Sequence, residues 1–526
     1  MFNRNRGLRR MAAFASISSL VAGCGVLSSD SSDDQGPIVV GTTSAPSTLD
    51  PAASWDSSWE LFRNIYQTLL SYPSGATTPQ PDAAESCGFT DTSSRIYRCK
   101  LRAGLKFSNG DTLDAKAVKH SIDRIGKINV NGGPAGLLGS LERVQALGER
   151  EVVFHLNKPD ATFPFVLATP AMSIVDPDEY PANALRKGDS IVGSGPYTLK
   201  SYSEDKAELV KYGDYDGYAK RKNDAVTIRY FKDSAPMVQG LKDGSLDVAF
   251  RGLGADDIVS IDKEQNDTDL QLLDGSGTEI SYLVFNPKDP WAGKLAVRKA
   301  VAQIVDRGAI AHKVYKDTVE PLYSMVPKGL TGHTTDYFDD YGNPSVAKAR
   351  KILQNAGITQ TVPLTLWYTT DRYGSATKAE FEELKAQLED SGLFQITLKS
   401  RPWKTYVTGY QNGEYPVFGR GWFPDFPDAD NFISPFVGDK NALGTPYPEP
   451  KITGILLPRS RGQSDRANVV KDFEEAQQII TDDARLLPLW QGRQYVAAND
   501  DISGGEQALD PSTIMMMGEL YRKTSW

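Results

Sequence analysis

Between residues 282 and 398 the sequence repeats one unit: a short β-branched or aromatic run, then a segment with helical apolar spacing, with Gly at several of the turns. Residues 282–285 read as a strand and 295–305 as a helix. A helix over 345–356, stopped by Gly357, precedes a strand over 364–368. A helix over 376–388, with Phe381, Leu384 and Leu388 on one stripe, precedes a strand over 394–398. Strands alternating with helices predict α/β layers with mostly parallel sheets. The first half follows the same logic less regularly. It has a strand over 38–43 and a helix over 58–70. A second helix over 114–125 starts at the N-cap Asp114 and carries Ala115, Val118, Ile122 and Ile125 on one face. A helix over 234–241 feeds a strand over 246–250. At 526 residues the chain predicts two to four domains, because one hydrophobic core of that volume is too large.

The N-terminus decides the compartment. Arg4, Arg6, Arg9 and Arg10 form a positive stretch ahead of an apolar run over 11–22. That run is too short to span ~30 Å of hydrocarbon as a helix, so it reads as an export signal. It ends Val21-Ala22-Gly23-Cys24, which resembles a bacterial lipobox. Such signals are cut before the Cys, whose thiol is joined to diacylglycerol. Residues 1–23 are then a signal peptide, Cys24 the lipidation site and the Ser/Asp/Gly-rich 24–36 a solvated tether. The alternative is an idle Cys after an ordinary signal, and Arg9-Arg10 leaves the Sec and twin-arginine routes open. Cys87 and Cys99 remain in the body, with Gly88 and residues 91–94 suggesting a turn between two strands. An exported chain left with two cysteines usually pairs them. The alternative is two free thiols, since two Cys without a nearby His are too few to hold a metal.

Several function classes are excluded. The net charge is −9, and after residue 10 the longest basic run is Lys220-Arg221-Lys222, so nucleic acid is not an expected partner. His120, His155, His312 and His333 are scattered and form no metal-ligand spacing; His120, within the 114–125 helix, reads as solvated or packed. There is no GxSxG elbow and no Walker-type GK[ST], and Gly252-Leu253-Gly254 lacks the third Gly of a dinucleotide loop. Carboxylate pairs are too common among 67 acidic residues to argue for or against a glycosidase. No catalytic residue, metal site or cofactor is expected.

Positive evidence comes from ordered segments: Ser47-Thr48-Leu49-Asp50-Pro51; Leu105-Lys106-Phe107-Ser108-Asn109-Gly110-Asp111, running on to Asp114 through Ser121; Gly193-Ser194-Gly195-Pro196-Tyr197; LKDGSLDV over 241–248; Phe285-Asn286; Val297-Arg298-Lys299-Ala300; and Asp306-Arg307. Together they resemble the extracellular solute-binding proteins of peptide-type ABC importers, a family that includes oligopeptide-, dipeptide- and nickel-binding proteins. Ala117 departs from the pattern, where an acidic residue is usual. The resemblance implies two α/β lobes closing over a solute, joined by crossings near Phe285 and near 488–491. Lobe one would span 37–284 with an extra subdomain at about 68–187, lobe two 285–488, and 489–526 would return to lobe one. It also implies a monomeric, lipid-anchored extracytoplasmic receptor without catalysis, which binds short peptides and delivers them to ABC permease and ATPase subunits.

The resemblance is most informative over 403–432. Trp403 and Trp422 lie nineteen apart, and Trp422-Phe423-Pro424-Asp425 matches the family's Trp-x-x-Asp, whose Asp binds a peptide's α-amino group. A carboxylate meeting an ammonium makes a directional, charge-assisted hydrogen bond. The alternative is that Asp425 caps a turn beside Pro424 and Pro427. Trp403, Trp422 and Phe423 are counted with the ligand-binding residues; Trp422 fits core packing nearly as well. Gly421 lies on a strand whose main chain would pair an extended peptide. Trp55 and Asp56 fall where the family often contacts solute. Asp428, Asp430 and Asn431 read as loop architecture. Tyr410 and Gly419 stand where oligopeptide binders carry carboxylate-holding Arg residues, and Arg420, one position off on an alternating strand, reads as solvated. Rival readings are a nickel chelate or an oligosaccharide as solute, or an exported hydrolase. Cys24→Ser protein is expected in the soluble fraction; membrane retention equal to the wild type's would refute the anchor.

Overall fold

A computed structural model describes residues 36–523, so the expected signal peptide, Cys24 and all of the tether except Gly36 lie outside the described residues. Among the described residues no helix is long and apolar enough to cross a membrane.

Two long strands organise the body. Leu270–Phe285 and Leu486–Asn499 pair antiparallel along nearly their whole length. Side chains alternate on a strand, so Ile280, Tyr282 and Val284 enter one core with Phe432 and Phe436. Leu283 and Phe285 enter another with Phe381 and Leu384. Register breaks between Ser276 and Ile280. On one side of the break, Val248–Phe250 pairs with the end of Leu486–Asn499. On the other, Val417–Trp422 pairs with residues 280–285. The strand expected over 282–285 is thus sixteen residues long. Asp274-Gly275-Ser276 has turn-like composition, yet it is held extended by the ladder to residues 493–495.

The resulting eleven-stranded sheet is mixed. It runs Phe394–Arg401, Val362–Thr369, Val417–Trp422, the long pair, Val248–Phe250, Ile38–Thr42, Ala225–Tyr230, Lys206–Lys211 and Tyr197–Ser203, with Val319–Pro321 also on Leu486–Asn499. Four of its ten strand pairings are parallel, which corrects the mostly parallel expectation. The α/β alternation does generate parallel pairs, such as Val362–Thr369 with Phe394–Arg401. Long-range returns of the chain and the local 197–230 meander supply the antiparallel ones. A separate four-stranded antiparallel sheet runs Ala84–Phe89, Ile96–Leu101, Glu151–Leu156, Leu141–Leu147. Cys87 faces Cys99 directly across its first ladder, and the two form a disulfide.

Local chemistry explains the opening motifs. Asp114 accepts the Lys116 and Ala117 N–H groups at 2.8 and 2.9 Å, capping helix Ala115–Ile128. Arg124 of that helix donates to both oxygens of Asp50 at 2.6 and 2.9 Å, and both side chains are almost completely buried. Asp50 also accepts the Ala52 and Arg186 N–H groups, at 3.0 and 2.8 Å. The Asp of the opening turn is therefore the counter-charge that lets an arginine sit in the core. Helix Ser58–Ile65 ends five residues before its expected limit, because Tyr66 turns extended and its hydroxyl meets that of Tyr180 at 2.7 Å. The Gly-x-Gly-Pro-Tyr turn packs on this corner: a Cβ at Gly193 would lie 2.0 Å from the Ile65 carbonyl oxygen, and one at Gly195 2.5 Å from its carbonyl carbon. His120 is packed, with Nε2 2.7 Å from the Tyr180 carbonyl oxygen.

Breaking a buried pair strands its partner's charge, which typically costs about 3–5 kcal/mol. Arg124→Ala should lower unfolding stability by that amount in denaturant titration. Lys119→Ala, which removes a solvent-exposed pair to Asp123 on the same helix, should change it by less than about 1 kcal/mol. Equal effects would refute the assignment.

Candidate functional site

Strand Val417–Trp422 is hydrogen-bonded along one edge to residues 280–285. On its other edge, Val362–Thr369 pairs only with Val417 and Phe418. Among the described residues, 419–422 have no strand beside them on that edge, although the Gly419 carbonyl accepts the Tyr406 hydroxyl at 2.9 Å. Gly419 and Gly421 face helix Thr377–Asp390 and the loop before it. A Cβ on Gly421 would lie 2.8 Å from the Tyr373 ring, and one on Gly419 2.5 Å from the Phe381 ring. The bare glycines let both rings rest on the strand. Trp403, opening helix Trp403–Gln411, meets Tyr373 edge-on at 5.7 Å between centroids, and the Arg372 guanidinium lies over the Trp403 ring at 5.4 Å.

Asp425 follows the strand and is 7% exposed. Its N–H donates to Asn431 Oδ1 at 2.9 Å, and Asn431 Nδ2 donates back to Asp425 Oδ2 at 3.0 Å. The other oxygen, Oδ1, accepts the indole N–H of Trp55, which comes from 370 residues earlier. Burial pushes the Asp425 carboxyl above its usual range, and the hydrogen bonds from Trp55 and Asn431 oppose that push. No cationic side chain among the described residues pairs with it. The two residues expected to meet solute from opposite ends of the sequence are in direct contact.

The other expected site residues divide. Trp422 sends its indole N–H to Asn431 Oδ1 at 3.3 Å and packs edge-on against Phe436 at 5.1 Å, so it buttresses the residue that holds Asp425. Phe423 is 38% exposed beside it. Asp56 does not reach Asp425: its carboxylate accepts from Ser47, from the Ser54 hydroxyl at 3.1 Å and from the Ser58 N–H at 2.9 Å, shaping the loop that presents Trp55. Asp428 and Asp430 are architectural, though not through backbone groups alone. Arg466 grips Asp428 with two bonds of 2.8 Å, and Arg461 grips Asp430 at 2.8 and 2.7 Å. Arg420 corrects the solvated reading. It is buried on the face opposite Gly419 and Gly421, donates to the Ala442 carbonyl and stacks over Tyr410 at 4.7 Å.

A cavity between strand Val417–Trp422 and helix Thr377–Asp390 was not anticipated. Glu279, Ser281, Tyr373, Glu380, Phe381 and Trp490 contribute to its wall. Glu380 is buried and accepts from Trp490 Nε1 at 3.0 Å, Ser281 Oγ at 3.3 Å and the Tyr315 hydroxyl. One signal was available: Glu380 sits at i, i+4, i+8 with Leu384 and Leu388, a carboxylate on the apolar stripe of its helix. Burial raises Glu279 to about 7, against the opposing pull of Arg251 and Arg372.

A family model for bacterial extracellular solute-binding proteins, family 5 (middle), matches residues 78–444. The chain belongs to that family. Among its relatives is a probable D,D-dipeptide-binding periplasmic protein of Escherichia coli (strain K12), 25% identical over 486 residues, covering 89% of this chain and 90% of the relative. Its fold matches the two-lobed periplasmic binding proteins. The ABC transporter-associated periplasmic binding protein DppA of Helicobacter pylori, solved with the peptide STSA, superposes with a TM-score of 0.78 at 22% identity, over 93% of this chain and 98% of the other. The binding protein AgaA of Agrobacterium tumefaciens R10, solved with agropinic acid, gives 0.77 at 23% identity over 93% and 99%.

Within this solute-binding fold the raised carboxyl of Glu279 has a measurable signature. Between about 4.5, its ordinary value, and about 7, the folded protein holds a proton that the unfolded chain has lost. That contribution to stability is present at low pH and vanishes as pH rises through the window. Glu279→Gln mimics the protonated state. The variant should therefore gain about 1–3 kcal/mol relative to wild type between pH 5 and pH 8. A difference independent of pH, read by denaturant titration, would contradict the shift.

Proposed function

We propose that the protein is an extracytoplasmic receptor that binds short peptides and delivers them to the permease and ATPase subunits of an ABC importer, anchored to the membrane through lipidated Cys24 and performing no catalysis. The observation that carries the reading is the state of Asp425. It is a buried carboxylate whose oxygens meet only neutral donors, Trp55 and Asn431, beside a strand edge with no partner strand among the described residues. A peptide offers what both lack: an ammonium for the carboxylate and an extended main chain for the edge at 419–422. Every peptide shares those two features, so a receptor built on them accepts many sequences. The names of the relatives, among them dipeptide- and di/tripeptide-binding proteins, support the same solute class. We place the lobe crossings at the register break between Ser276 and Ile280 and on the paired stretch 491–493, slightly before the Phe285 position that the sequence suggested. Closure about two short crossings gives a liganded shape that a permease can distinguish from the open one.

Native mass spectrometry of the mature body, lacking Cys24 and never denatured, tests the solute class. Co-purified masses should resolve into peptides. Asp425→Ala should weaken binding of a representative peptide by about 30-fold or more, since removing one member of a buried charge pair costs at least ~2 kcal/mol. A single non-peptide mass insensitive to Asp425→Ala would overturn the peptide reading while leaving the fold and family intact.

A further inference from the structure

We propose that the cavity lined by Glu279, Ser281, Tyr373, Glu380, Phe381 and Trp490 is a side-chain subsite selective for a primary ammonium on an apolar stem, as in a lysine or ornithine residue of the bound peptide. The proposal rests on the peptide reading above and adds which peptides are preferred.

Four observations carry it. The cavity adjoins the proposed peptide track: Gly419 and Gly421, on the strand that leads to Asp425, form part of its wall. Their missing side chains let the Tyr373 and Phe381 rings close against the strand as part of that wall, and Ser281, paired with Gly421, faces the same way. The wall also combines two carboxylates with the faces of Tyr368, Tyr373, Phe381 and Trp490; Arg420 contributes to the lining too, with its guanidinium held by the Ala442 carbonyl and the Tyr410 ring. Carboxylates recognise a cation, and aromatic faces accept one as well. The two carboxylates are, moreover, unequal. Glu380 is satisfied by three neutral donors, whereas among the described residues no group donates to the partly exposed Glu279. The cations nearest Glu279 are committed elsewhere: Arg251 pairs with Glu60 at 3.1 Å and bonds Thr513, and Arg372 lies over Trp403. Finally, the cavity has room for little more than one water-sized group, so it takes the head of such a side chain and not its stem. That matches an ammonium head, which is about the size of a water, better than a planar guanidinium.

The charged groups acting on Glu279 are Arg251, Arg372 and Glu380, and burial leaves its carboxyl near 7. An ammonium seated there would favour the ionised form, so binding at pH 7 should release a proton.

The test uses the purified mature protein and three sets of tripeptides in which Lys, Arg, norleucine or Glu is placed in turn at each position of an otherwise alanine sequence, with binding measured by calorimetry. At one position Lys should bind at least about tenfold tighter than norleucine and tighter than Arg, and Glu should bind more weakly than norleucine. The Lys peptide alone should show proton release when buffers of different ionisation enthalpy are compared. In Glu279→Gln, checked for folding by its thermal transition, the Lys/norleucine ratio should fall to about threefold or less and the proton release should disappear. Wild-type protein that binds neutral peptides with no Lys preference at any position overturns the subsite and leaves the peptide reading standing. A preference that survives Glu279→Gln with its proton release intact also overturns it. Failure of every peptide, charged or neutral, overturns both readings.

Discussion

The antiparallel ladder between Leu270–Phe285 and Leu486–Asn499 is the constraint on which the rest of the structure depends. Over 200 residues separate its two strands, and they bring together everything built on either side of the break at 276–280. The ladder holds Val248–Phe250, and through it Ile38–Thr42, at one end, and Val417–Trp422 at the other. Long-range pairing of this kind is slow to form and entropically costly to close. Once formed, however, it fixes the loop carrying Trp55 and the loop carrying Asp425 in one frame. The irregular stretch is short, so on the proposed reading bending would be confined to a few residues.

Much of the architecture was legible from the sequence. Helices Ala115–Ile128, Leu295–Ile304, Val346–Asn355 and Thr377–Asp390 appear at the apolar stripes that announced them, because a 3.6-residue period has few other solutions. The strand over 270–276 was not legible. Its Asp274-Gly275-Ser276 looks like a turn, and only a partner more than 200 residues away makes it extended. Sheet direction escaped for a similar reason: alternation of strand and helix reports local connections, whereas direction within a mixed sheet is set by where distant strands insert.

At the candidate site the motif singled out Asp425 and Trp55, which the structure brings into contact, whereas the pairings around them were not legible. Arg461 and Arg466 could not be matched to Asp430 and Asp428 from composition, since any of many basic residues would have served. Arg420 misled because an alternating strand tells which residues share a face but not which face is solvated. The face it occupies is buried by Tyr410 and the 442 region, so the arginine is desolvated and held by a carbonyl and a ring instead of water. Asp56, like Trp55, falls where the family often contacts solute. Its carboxylate instead organises the loop, which is a common fate for an Asp among serines.

Three acidic side chains of the loop after strand Val417–Trp422 then contrast in a way that bears on the proposed closure. Asp428 and Asp430 each own an arginine, so their charges are compensated whether or not anything is bound. Asp425 is equally buried and owns none. Trp55 satisfies its hydrogen bond without neutralising its charge, and the difference matters because burying an uncompensated carboxylate costs several kcal/mol. An arginine at position 55 would remove that penalty and stabilise the closed form by itself, leaving a ligand's ammonium nothing to add. A neutral indole instead closes the geometry but not the electrostatics. On the proposed reading, the empty closed form stays penalised, and the missing charge can be supplied only by the solute. Binding and closure then become one coupled equilibrium, in which the ligand shifts the population by its differential interaction with the closed state.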